Sequence, residues 1–225
     1  MLAAMTPVVD AVYQEMLTRA RTGPWGPSFE AWTERFIDFT GRFPAEHPQA
    51  ALRREAAWED ALCRGGMADR VGRSLEDPAE RQVAELIGRA QHSVFAFRHV
   101  SGVFLLDDLL SGASFLMLED DTIAREVRGD NLGGLCEGRL LGTERGCVLL
   151  PGVVFHEAPA TEPIHELLRD VHQWGLSADD VCDVLMSMDH QYRTLSRVKA
   201  TYAYRRENVA RWIERRGEGL RPARG

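Results

Sequence analysis

Between residues 93 and 156 the apolar residues stop recurring at helical spacing and fall into short runs cut by Gly and Asp. The runs are SVFAF, GVFLLDDLL, GASFLMLEDD, NLGGLCEGRLL and GCVLLPGVVFH. On both sides of this stretch the apolar period returns to three and four. Such a change restricts the chain to an α+β fold, with one compact β unit set between helices. Strands are expected at 94–100, 103–106, 114–118, 135–141 and 147–155, with Gly102 allowing a tight turn or bulge. A loop is expected at 120–131, and a hairpin turn at 142–145. Five short strands joined locally predict a small, strongly bent antiparallel sheet or half-open barrel.

Three regions follow: a helical bundle over 1–91, a small β-barrel-like unit over 92–158, and a helical segment over 159–225. In the bundle, Thr6-Pro7 opens the first helix, Ser28 can cap a second, and Asp77-Pro78 opens a fourth. Phe29, Trp32, Phe36 and Phe39 recur at three and four residues, the spacing burial demands, so this aromatic stripe reads as core.

The segment HSVFAFRHVSGVFLLDDLLSG, with the later LCEGRLLGTERGCVLLPGVVFH, resembles a β module of uncharacterised bacterial proteins. There a strand leads into a "DLLtG" turn and a later strand precedes a hairpin ending in "LP". Asp108, Leu109, Leu110, Ser111 and Gly112 match the turn, and Gly138, Arg139, Leu140 and Leu141 the later strand. The resemblance covers residues 92–156 and implies a small β-barrel and no activity. Some relatives end in a cysteine-rich SEC-C zinc tail. This chain has no such cluster at its C-terminus, so zinc binding does not carry over.

Composition narrows the function classes. A chain that is 44% hydrophobic and 27% charged can form a buried core. No apolar run approaches the roughly 20 residues of a membrane helix, and MLAAMTPVVDAVYQEM lacks the basic start of a signal peptide. A cytoplasmic protein without membrane association is expected. Cys63, Cys136, Cys147 and Cys182 are scattered without a C-x-x-C pair and read as buried free thiols.

No nucleotide-binding, zincin or nucleophile-elbow motif occurs. Asp107 and Asp108 are adjacent on a strand, so they face opposite ways, and Asp108 is expected to cap its own turn. His156, His165 and His172 lie in an acidic run, but the last two are too far apart for a helical metal clamp. They read as solvated helix-face residues. No catalytic residue, metal ligand or cofactor is assigned from the sequence.

The net charge of −7 is divided: residues 191–225 hold ten basic and three acidic residues, a balance of +7 against −14 elsewhere. No Gly or Pro interrupts 178–216, which Ser177 can cap. A continuous helix there would be about 55–60 Å long, against a domain diameter of roughly 35–40 Å. It therefore breaks or projects. Val181, Leu185, Met188, Tyr192, Leu195, Tyr202, Val209 and Ile213 form its apolar seam. Arg193, Arg197, Lys199, Tyr202, Arg205, Arg206 and Trp212 form the candidate binding surface, since guanidinium beside aromatic suits acidic proteins and phosphates. The sequence therefore points to a non-enzymatic recognition or adaptor protein with a protein partner, self-associating through this helix. Nucleic-acid binding by the basic helix is the alternative, and a metal-dependent enzyme the second alternative.

Overall fold

The computed structural model describes residues 5–101, 103–117, 134–143, 146–195 and 197–219. The expected turn at Gly102, the whole loop at 120–131, and Glu144 and Arg145 of the hairpin lie outside them. The architecture is α+β, with a curled antiparallel half-barrel between helices at the two ends of the chain.

Five helices make the N-terminal bundle: α1 (Met5–Thr22), α2 (Gly26–Thr40), α3 (Gln49–Cys63), α4 (Met67–Gly72) and α5 (Pro78–Gly88). Asp77 caps α5 by accepting the Ala79 N–H at 2.8 Å. Ser28 is not a cap, because α2 begins two residues earlier, with Pro27 in its first turn. Tyr13, Met16, Leu62, Val71 and Ile87 fill the bundle core, which continues into the sheet through Leu141, Val148 and Leu150.

The strands are β1 (Gln91–Val100), β2 (Val103–Asp108), β3 (Ser114–Leu116), β4 (Leu135–Thr143), β5 (Gly146–Leu149) and β6 (Val154–Phe155). Their order is β3-β2-β1-β4-β5, with β6 on β4. The last predicted strand is two strands, split at Pro151, where the ladder loses a donor. A parallel bridge from Met117 to Cys147 joins the sheet's two edges, and the Cys147 thiol donates to the Leu116 carbonyl at 3.0 Å. Phe95, Phe97, Leu106, Cys136 and Leu149 fill the concave interior. Alternate residues, including Val94 and Leu135, face the C-terminal helices. Asp108 accepts from the Leu110 and Ser111 amides and the Ser111 hydroxyl, so it caps its turn.

The C-terminal part contains α6 (Thr161–Leu168), α7 (Ala178–Thr194), α8 (Ala200–Ala203) and α9 (Arg206–Gly219). Ser177 caps α7 through the Asp180 amide. Of the two outcomes open to the stretch from 178 onwards, the helix breaks: it ends at Thr194, and Arg197 takes a left-handed φ of 65°. That conformation costs a non-glycine residue about 1–2 kcal/mol. Folding back buries Ala203, Tyr204, Val209 and Trp212 against α7, each under 5% exposed. Burying one large apolar side chain contributes roughly 1.5–3 kcal/mol, so packing outweighs helix propensity. Val181, Leu185, Met188 and Val209 of the seam are consequently inside the molecule. Among the described residues, no helix is long and apolar enough to cross a membrane.

Candidate functional site

A layer of charge lies between the sheet and the helices. Strand period places Glu137 and Arg139 of β4 on the same face as Leu135 and Leu141, and that face packs on helices. His92 of β1 pairs with Arg139 across the ladder. Opposite them runs α7, buried at every position from Asp180 to Asp189. A helix buried all round brings its acidic residues inside, where each needs a partner.

On one side, Asp60 of α3 collects four donors. Its Oδ2 accepts Trp32 Nε1 at 2.7 Å and Arg64 at 3.1 and 3.2 Å; its Oδ1 accepts Arg139 Nη2 at 2.7 Å. The same Arg139 nitrogen reaches Asp179 Oδ1 at 3.0 Å, which also meets His92 Nδ1 at 3.0 Å. Burial, and then the Arg139 charge, press His92 down to about 4, so its imidazole is neutral. Arg64 also holds Asp183 Oδ2 at 2.9 Å and approaches Asp180, which pairs with Arg216 of α9.

On the other side, Arg53 Nη1 donates to the Thr40 carbonyl at 3.0 Å, and Nη2 reaches Asp189 at 3.4 Å. Arg193 holds the second Asp189 oxygen at 2.8 Å and also bonds Glu157 and the Phe155 carbonyl. Tyr204 bridges Asp189 and His156 Nδ1. His156 Nε2 lies 2.6 Å from Glu137 Oε1, with both side chains wholly buried. His156 is therefore an interior residue, which corrects its reading as solvated. His165 ends up on α6 and His172 on a following 3-10 turn, so the two share no helix.

Glu59 of α3 stands apart from these pairs. It accepts the Gly152 amide at 2.5 Å, where the loop passes so close that a Cβ on Gly152 would lie 2.8 Å from the α3 backbone. Burial pushes its carboxyl up to about 8; the Gly152 amide, Arg139 and Tyr13 act against this rise, and Glu55 adds to it. The folded state thus holds a proton that the unfolded chain releases near 4.5. This stabilising contribution is full below that value and is lost as pH rises toward about 8, at roughly 1.4 kcal/mol per unit. Glu59→Gln stays neutral and still accepts from Gly152. Its unfolding midpoint is expected to exceed the parent's at about pH 8, by about 2–4 °C per kcal/mol, and to match it near pH 4. Thermal unfolding of both proteins across that range checks this, and equal midpoints at pH 8 would contradict it.

The Asp60 network borders a cleft of about 390 Å³ between α2, α3, α7 and α9. Trp32, Phe36 and Phe39 contribute from α2 and Trp212 from α9; Asp60 and Asp183 are its buried polar members, and Arg64 is half-buried. Arg35 stacks 4.3 Å over Trp32, and Arg216 5.3 Å over Trp212. Two buried atoms here have no hydrogen-bond partner: the Trp212 Nε1 donor and the Asp183 Oδ1 acceptor. Burial raises the Asp183 carboxyl to about 7 against the pull of Arg64, so the group takes up a proton near neutrality.

The seven residues expected to bind together are split by the break after α7. Arg193 is locked into the Asp189 network and Trp212 is in the core beside the cleft. Arg197, Lys199, Tyr202 and Arg206 lie on the outer surface and Arg205 is half-buried, with Arg206 paired to Asp170. The aromatic stripe of α2 divides similarly: Phe29 and Phe36 are core, while Trp32 and Phe39 are half-buried at the cleft. None of the four cysteines forms a disulfide among the described residues; Cys136, Cys147 and Cys182 are buried, and Cys63 is half-buried, which corrects its reading as buried. No family model, no curated protein and no solved structure matches this chain.

Proposed function

We propose that this chain is a non-enzymatic recognition protein whose cleft takes a small anionic aromatic group. Two residues that line the cleft, Trp212 and Asp183, each keep a buried polar atom without a hydrogen-bond partner, and this carries the reading. Buried polar groups are normally satisfied, and the exceptions mark places where a partner arrives. Its aromatic side chains offer stacking surface, and Arg35, Arg64 and Arg216 favour a negative group. A protonated Asp183 donates a hydrogen bond to a carboxylate instead of repelling it. Among the described residues, the lining includes no Ser, Thr, Cys, Lys or His, and its two carboxylates, Asp60 and Asp183, are both engaged by Arg64. Calorimetric titration with indole-3-acetate, benzoate and tryptamine tests the reading. The two anions are expected to bind and the amine to fail, with Arg216→Glu weakening the anions about tenfold or more. Tryptamine binding as well as indole-3-acetate, or no binding by either anion at millimolar concentration, would overturn it.

A second surface supports a protein partner. At the break between α7 and α9, Leu195 is 54% and Tyr202 60% exposed, beside Arg197 and Lys199. An exposed aromatic flanked by cations suits an acidic protein surface. Tyr202→Ala with Lys199→Glu is expected to abolish capture of that partner in a pull-down while leaving the unfolding midpoint within 2 °C, about what a neutral surface change allows. Unchanged capture would remove this surface from the account.

A further inference from the structure

We propose that His92, Glu137 and Cys182 form a binding site for one divalent ion of the zinc class. The three residues come from β1, β4 and α7, and each offers one ligand atom within 4.8 Å of the other two. All three are buried. An imidazole nitrogen, a thiolate sulfur and a carboxylate oxygen are the donor types zinc uses, at about 2.0–2.3 Å. Ligand atoms around a tetrahedral ion at those lengths lie roughly 3.3–3.7 Å apart, so this trio closes on an ion with small side-chain movements.

A second observation points to a missing cation. Neither oxygen of Glu137 has a hydrogen-bond partner, although the side chain is wholly buried. His156 Nε2 stands 2.6 Å from Oε1, an ion pair only when the imidazole is protonated, and the Arg53 charge also acts on the carboxylate, but Oε2 is left without a partner. A buried carboxylate in that condition is costly unless a positive charge faces it. A divalent ion supplies that charge, and with one carboxylate and one thiolate the centre is neutral. The thiol proton is released as the metal–sulfur bond forms.

The surroundings resemble an outer ligand shell. Asp179 lies 3.0 Å from His92 Nδ1, and a proton shared along that contact leaves Nε2 as the lone pair for a metal. His156 stands against Glu137 in the corresponding position. The three ligands are buried and leave the fourth position of a tetrahedral ion open to a water molecule.

The full chain, stripped with a chelator and titrated with Co²⁺, tests the site. One equivalent is expected to give the near-ultraviolet thiolate-to-cobalt band, displaced by one equivalent of Zn²⁺. Cys182→Ser is expected to lose the band, while Cys136→Ser, on the opposite face of β4, keeps it. X-ray absorption of the zinc-loaded parent requires no variant, and is expected to read one sulfur neighbour at about 2.3 Å. No band in folded protein, a band that survives Cys182→Ser, or a zinc shell without sulfur would each overturn the proposal.

Discussion

Asp60→Ala is expected to destabilise the protein by about 3–5 kcal/mol, the cost of removing one partner from a buried ion pair. Asp60 is wholly buried, and its two oxygens serve Trp32, Arg64 and Arg139. Arg64 keeps Asp183 and Asp180. Arg139, with its side chain 4% exposed, keeps only Asp179 as an ion-pair partner among the described residues, and the Trp32 indole loses its acceptor. A guanidinium beneath the sheet that has lost its shorter carboxylate contact is the main penalty. Adding Arg139→Met to Asp60→Ala is therefore expected to recover part of the loss, since it removes the stranded charge. Urea unfolding of the four proteins of that cycle measures the coupling. A cost below about 1 kcal/mol, as for exposed pairs, would mean that water reaches Asp60.

Trp212→Ala is expected to cost about 3–5 kcal/mol as well, by leaving a cavity the size of an indole. Trp212 is 2% exposed and packs with Val181, Leu185, Val209 and their neighbours. If α9 were a solvated projection the same change would cost almost nothing, so the variant separates a folded-back tail from a projecting one. Trp212→Phe, which retains most of the apolar volume, is expected to restore more than half of the loss. Chemical denaturation followed by circular dichroism decides, and a loss within 0.5 kcal/mol, the ordinary surface range, would contradict the packing of α9.

The half-barrel was legible because strand period is local. Val94, Phe95 and Phe97, or Leu135, Cys136 and Leu140, announce themselves within a few residues, and sterics on a pleated strand do the rest. The break after Thr194 was not legible, because no Gly or Pro marks it. It is set by Tyr204 and Trp212 finding α7, a contact that local propensity cannot report. The cleft joins Trp32 and Trp212, far apart in the chain, so neither position alone could show it.

The buried charges did leave a signal. In LCEGRLL apolar residues occupy both strand faces, so Glu137 and Arg139 had nowhere exposed to go. In VCDVLMSMD the apolar positions cover more than one helix face, which places Asp183 and Asp189 inside in the same way. Reading each charge against both faces of its element, instead of as a solvated exception, finds the polar layer. It does not find the partners, which come from β1, β4, α3 and α7 together.

The indole resonances of the nitrogen-15-labelled chain test the cleft most directly. The sequence has five tryptophans, and their indole signals are assigned by single substitutions to Phe. Trp212 Nε1 has no acceptor, whereas Trp32 Nε1 donates to Asp60, so the Trp212 proton is expected upfield of the Trp32 proton in the free protein. Addition of indole-3-acetate is predicted to move Trp212 downfield and to shift Trp32, while Trp25, Trp58 and Trp174, away from the cleft, stay in place. Shifts confined to those three, or a Trp212 signal unmoved at saturation, would contradict the assignment of the cleft as the recognition site.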